Sequence, residues 1–75
     1  MRVDIDTKNS EIMYALLRAG EDLDADQIAS LILRADAAGC RCLEIHPPSG
    51  LSEAWCIRSG EWIRTFPLDM THPRV

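Results

Sequence analysis

The stretch Gly39–Pro48, GCRCLEIHPP, is where the chain changes its period. Before it, apolar residues recur every three or four positions; after Gly39 they alternate, with Leu43 and Ile45 set against Cys42, Glu44 and His46. Pro47 and Pro48 then stop the run, because proline cannot donate to a strand ladder. The stretch therefore reads as a strand that follows a helix ended by Gly39.

The same stretch raises the question of a metal. If the strand begins at Cys40, then Cys40, Cys42, Glu44 and His46 share one face, and Cys56 falls on the same outer face of the next strand. A register that opposes Cys42 to Cys56 would bring two thiols within reach of His46, a sulfur and nitrogen mixture that zinc accepts. The spacing argues against it. Structural zinc sites draw on ligand pairs two to four residues apart in tight turns, whereas Cys-x-Cys along a strand splays its sulfurs by about 7 Å. The expectation is no metal and no cofactor, with the cysteines packing as small apolar residues.

Downstream, AWCIR and EWIRTF flank Ser59-Gly60, a hairpin signal that opposes Ile57 to Trp62 and Trp55 to Arg64. Trp55, Ile57, Trp62 and Phe66 then share the face of Leu43 and Ile45. Upstream, Asp24 caps a helix and Gln27, three residues on, completes a capping box; Ile28, Leu31, Ile32 and Ala35 form the buried stripe. Further back, Asn9 or Ser10 can cap another helix, with Ile12, Met13, Leu16 and Leu17 at helical spacing and Gly20 at its end. Val3 and Ile5 alternate with Arg2, Asp4 and Asp6 as a short first strand. The predicted fold is α+β, a β-α-α-β-β-β domain in which two helices pack on one face of an antiparallel sheet. Trp55 and Trp62 are expected to be largely buried against Leu16, Ile28, Leu31 and Ile32.

Length allows one domain over residues 1–75, with an irregular tail from about residue 67. A chain this short buries only about 60% of the surface its unfolded form exposes, so large internal pockets are not expected. An apolar share of 47% against 27% charged residues is a globular balance. No apolar run approaches a membrane span and the start lacks a secretory signal pattern, so the expectation is a cytoplasmic protein with free thiols.

The net charge of −4 is uneven. Residues 1–39 hold eight acids and four bases, and residues 40–75 hold four of each, so the whole excess is N-terminal. Such a balance disfavours direct nucleic-acid binding and favours a basic protein partner. The acids concentrate in EDLDADQ. Asp22, Asp24 and Asp26 have the spacing that begins a calcium loop, but the sixth position is Gln27 instead of glycine and the twelfth is Leu33 instead of glutamate. Helix capping and the helix dipole account for Asp24 and Asp26. Glu21, Asp22, Asp4 and Asp6 are left without a local task, and Glu21 and Asp22 are expected to stand free of capping.

No nucleophile elbow, phosphate loop, dinucleotide fingerprint or zinc-protease helix is present, and a shallow sheet face is a poor place for a Cys42 or Cys56 nucleophile with His46 as base. The sequence is read as no enzyme. Its leading reading is a small protein-binding module whose acidic patch, Glu21, Asp22, Asp24 and Asp26 with Asp4 and Asp6, engages a basic partner whose surface can otherwise hold nucleic acid. In size, acidity and lack of catalytic motifs, the chain resembles the small inhibitor proteins encoded by phages and other mobile elements, anti-CRISPR proteins among them. That is a resemblance of style, carried by no motif and naming no functional residue. The alternatives are a metal-binding or redox module using Cys42, Cys56 and His46, and a structural subunit that forms a homodimer through an edge strand. The outer sheet face with Cys42, Glu44, Arg58 and Ile63 is the second candidate surface.

Overall fold

The computed structural model describes residues 1–65. Phe66 and the tail expected to be irregular lie outside the described residues. The elements are β1 (Arg2–Ile5), β2 (Ile12–Leu16), α1 (Ala25–Ala37), β3 (Cys42–His46), β4 (Glu53–Arg58) and β5 (Glu61–Arg64). The five strands form one sheet in the order β1-β2-β3-β4-β5. All neighbours are antiparallel except β2 and β3, which run parallel.

The α+β class stands, but among the described residues there is one helix, and the sheet is mixed. The helix expected over Ile12–Leu17 is instead β2. Its residues IMYAL satisfy both periods, since Ile12, Met13 and Leu16 fit a helical stripe while Met13 and Ala15 alternate with Ile12, Tyr14 and Leu16. Turn chemistry tips the balance towards a hairpin. Asp6 Oδ1 accepts from the backbone N–H groups of Lys8 and Asn9, each at 2.7 Å, and Asn9 Oδ1 accepts from Glu11 N–H at 3.1 Å. These bonds bend DTKN back on itself, so Asn9 serves a turn and caps no helix. With Ile12–Leu16 a strand, α1 becomes the crossover between β2 and β3, the long connection that parallel neighbours need.

Helix α1 forms as its sequence dictates. Asp24 Oδ1 accepts from Gln27 N–H at 2.8 Å and Gln27 Oε1 accepts from Asp24 N–H at 2.9 Å, the reciprocal pair of a capping box. The other end closes as a Schellman motif: Gly39, at φ +82°, donates to Asp36 O at 3.1 Å and Cys40 donates to Ala35 O at 2.9 Å. That motif places an apolar contact at the residue after the glycine, and this corrects the placement of Cys40. Cys40 precedes the strand, is buried beside Ala35 in the core, and its Sγ meets Ser10 O at 3.4 Å.

The core lies between α1 and the middle of the sheet. Met13 and Ala15 of β2, Leu43 and Ile45 of β3, and Leu31 and Ala35 of α1 are buried, with Cys40 beside them. Trp55 and Trp62 pack at its margin together with Ile28, Ile32, Val3, Leu17 and Leu23. Leu16, expected inside, projects from the uncovered face and is exposed, because the strand period sends it opposite to Ala15. The β4–β5 hairpin has the expected register, with Ile57 opposite Trp62 and Trp55 opposite Arg64. Ser59 and Gly60, at φ 53° and 82°, both take the left-handed values of a type I′ turn, whose twist suits the strands it joins. Among the described residues no helix is long and apolar enough to cross a membrane.

Leu43 is fully buried while Leu33, on the outer side of α1, is 71% exposed. Leu43→Ala is therefore expected to cost about 2–5 kcal/mol. Leu33→Ala should stay within about 0.5 kcal/mol of the parent. Urea unfolding of both variants checks the pair; equal midpoints would mean that the wrong sheet face has been taken as the interior.

Candidate functional site

Only one face of the sheet is covered by α1. The other is built by register. Asp4, Tyr14, Glu44 and Ala54 stand in one row across β1 to β4, and Ile12, Cys42, Cys56 and Ile63 in the next across β2 to β5. Leu16 and His46 begin a third. Arg58 opposes Glu61 at one end of the face. The second candidate surface named from sequence, Cys42, Glu44, Arg58 and Ile63, is thus assembled on this open face.

Its polar groups are joined in short chains. Tyr14 donates its hydroxyl to Asp6 Oδ2 at 2.5 Å. This bond, aided by the negative charges of Asp6 and Glu44, pushes the Tyr14 phenol up to about 12, and the same bond with the Lys8 and Asn9 amides holds the Asp6 carboxyl below its ordinary value. The Tyr14 and His46 rings lie 5.6 Å apart in a tilted contact. His46 is held from both sides, with Nε2 at 2.9 Å from Glu44 Oε1 and Nδ1 at 2.8 Å from Ser52 Oγ. Ser52 has no signal in the sequence, because the loop from Pro47 to Ser52 must fold back before the contact exists. A hydroxyl, an imidazole and a carboxylate in line are the groups of acyl-transfer chemistry. Here they lie outside the two surface concavities described below, and they tie the β3–β4 connection to the sheet.

Cys42 and Cys56 do come together. They are directly opposed across β3 and β4, with their Sγ atoms 2.6 Å apart. Burial pushes the Cys42 thiol up to about 11, helped by the bond to Cys56 and the negative charge of Glu44. His46 does not join them. It stands four positions along the strand from Cys42, a span of about 13 Å, and Glu44 and Ser52 already occupy its ring nitrogens. Among the described residues no three His, Cys, Asp or Glu side chains are grouped to hold a metal ion.

The six acids named from sequence fall into two groups. Asp4 and Asp6 belong to the open face and the β1–β2 turn, and Asp4 pairs with Arg2 at 2.8 Å. Glu21, Asp22, Asp24 and Asp26 lie at the other end of β2, in the connection to α1 and its first turn. Glu21 is not free as expected. Its Oε1 accepts from Arg18 N–H at 3.0 Å and lies 3.2 Å from the Met1 amino group, which closes the turn before α1 and holds its carboxyl below the ordinary value. Asp24 is the cap. Asp22 and Asp26 make no hydrogen bond or ion pair among the described residues.

Both of these residues border a concavity. Asp24 and Asp26 line an open groove with Met1, Gln27, Leu31 and Arg34, and Asp22 lines a smaller one with Glu53, Leu17, Ile45 and Leu51. The sheet's edges, β1 and β5, carry Arg2, Asp4, Glu61 and Arg64, charges of the kind that discourage pairing with another strand. Comparison with protein-family models, with curated proteins and with solved structures finds no match to this chain.

The Tyr14–Asp6 bond gives a pH signature that is easy to isolate, since the sequence has one tyrosine. The folded phenol should ionise near 12, above its ordinary 10.0, so its contribution to stability is present below pH 10 and lost as pH rises towards 12. Asp6 has the opposite sign: its contribution is present above its ordinary 3.8 and lost as pH falls through the lower folded value. Phenolate absorbance should show the Tyr14 midpoint moving down in Asp6→Asn. An unchanged midpoint would detach Tyr14 from Asp6.

Proposed function

We propose that this chain is a small non-enzymatic binding module whose acidic surface at the start of α1 engages a basic protein partner. What supports this reading is the division of labour among the acids of residues 21–26. Glu21 and Asp24 are used by the fold, whereas the side chains of Asp22 and Asp26 are left unpaired, each at the rim of its own depression. An unpaired carboxylate beside apolar lining such as Leu31 or Leu51 suits a lysine or arginine side chain, whose stem packs on the apolar wall while its head meets the acid. The uncompensated N-terminal charge adds a negative field that speeds encounter with a basic surface.

The partner class that fits is a protein whose basic face otherwise holds nucleic acid, and the role is that of an inhibitor of the style encoded by phages and mobile elements. Direct nucleic-acid binding runs against the sign of the charge. Asp4 and Asp6 stand apart from this surface, on the open face and the turn at the other end of β2, where Asp4 pairs with Arg2 and Asp6 is engaged by Tyr14.

Asp22→Lys combined with Asp26→Asn tests the proposal. The fold should lose no more than about 1 kcal/mol, the weight of one favourable charge at a helix start. Association with the basic partner captured from the source cell and then purified should slow by about tenfold or more at low salt and lose most of its dependence on salt. Equal association rates for variant and parent across a salt series would reduce the acids to solvated surface.

A further inference from the structure

We propose that Cys42 and Cys56 are a dithiol site that closes reversibly to a disulfide across β3 and β4 when the protein meets a low-molecular-weight disulfide. The register sets the geometry. Ile57 donates its N–H to Arg41 O at 2.9 Å, a bond that puts Arg41 and Ile57 at a hydrogen-bonding position of the ladder and makes the next pair along, Cys42 and Cys56, the non-hydrogen-bonded kind. In such a pair the Cα atoms approach to about 4.5 Å, within the range that a disulfide spans without moving the backbone. Both side chains project from the open face and are half-buried, between Ile12 on one side and Ile63 on the other, with no helix of the described residues above them. A small disulfide can reach them. Cys40 cannot take part, because it is buried among Met13, Ala35 and Leu43 beneath the opposite face.

The chemistry is two thiol–disulfide exchanges in sequence. One cysteine thiolate attacks a sulfur of the small disulfide; a new S–S bond forms, the old one breaks, and one small thiolate leaves. The second cysteine, already opposite, then attacks the protein sulfur of this mixed disulfide and releases the other small thiolate. The two cysteines are oxidised by two electrons, the small disulfide is reduced to two thiols, and the two cysteine protons end on those thiols. The product ties positions 14 apart in the chain, which removes freedom from the unfolded state without redirecting either strand. This site is separate from the acidic surface at the start of α1, and neither proposal rests on the other.

The folded chain is equilibrated with oxidised and reduced glutathione over a range of ratios, quenched and alkylated. Cleavage after Arg41 and Arg58 releases one peptide, Cys42–Arg58, that holds both cysteines, while Cys40 is carried in the peptide ending at Arg41. Under oxidising ratios the first peptide should lose the mass of two hydrogen atoms and resist alkylation, while Cys40 is alkylated as before. The melting temperature should rise by roughly 10 °C and return on reduction. Cys56→Ser should give at most a glutathione adduct at Cys42, with no rise in melting temperature. A wild-type protein that stays folded by circular dichroism but keeps both cysteines of this peptide alkylatable, or carries a glutathione on each, overturns the proposal. So does closure that appears only after denaturation.

Discussion

The parallel pairing of β2 with β3 is the constraint on which the rest of the molecule depends. Five residues of each strand match, Ile12–Leu16 with Cys42–His46, and the ends are sealed by Glu11 O, which receives Arg41 and Cys42 N–H at 2.7 and 2.9 Å, and by His46 O, which receives Leu17 N–H at 2.9 Å. Parallel neighbours require a long return path, and α1 with its flanking loops is that path. The pairing also sets Met13 and Ala15 beside Leu43 and Ile45 as one apolar block, which Leu31 and Ala35 cover. Without it the helix has no floor. β1 and the β4–β5 hairpin then extend the sheet outward from this central pair.

A sheet covered on one side has two chemically different surfaces, and strand alternation decides which residue goes to which. The closed face takes Met13, Ala15, Leu43, Ile45 and the two tryptophans, while Ile12, Leu16 and Ile63 stand on the open one. The open face collects what remains, and its polar groups find partners there: Asp6 for Tyr14, Glu44 and Ser52 for His46, and Cys42 for Cys56. Asp6 meets Tyr14 and Cys42 meets Cys56 across strands that are consecutive in the chain, while Glu44 and His46 belong to the same strand. These contacts also explain why this face resists reading as a single centre, because each chain of contacts is closed on itself and His46 stands about 13 Å along the strand from Cys42.

The acids show how folding sorts a charge cluster. Four carboxylates within six residues repel one another, yet the turn before α1 uses Glu21, the helix start uses Asp24, and the dipole favours Asp26. What remains outside is smaller than the cluster read from composition and better defined. Asp22 and Asp26 each border a depression, so the negative surface has a shape as well as a sign.

Features that depend on neighbours in the chain were legible in the sequence. The capping box of Asp24 and Gln27, the helix end at Gly39, the alternation of β3 and the Ser59-Gly60 hairpin with its register all rest on contacts a few residues apart, where local chemistry is decisive. The possible meeting of Cys42 with Cys56 was legible too, since it follows from alternation once β3 and β4 are neighbours. Ile12–Leu16 suits a helix and a strand about equally; the local turn bonds of Asp6 and Asn9 favour a hairpin, but the ladder that holds the strand comes from β1 and from β3, some thirty positions downstream. The tertiary structure alone placed Cys40 in the core, by way of the Schellman motif, and Ser52 on His46, by way of the folded loop. It alone engaged Glu21, whose partners at Arg18 and Met1 meet only when the β2–α1 turn closes. The division is physical: a periodic pattern records which side of an element is apolar, whereas the partner of a backbone strand is a long-range contact that a short, doubly periodic segment does not encode.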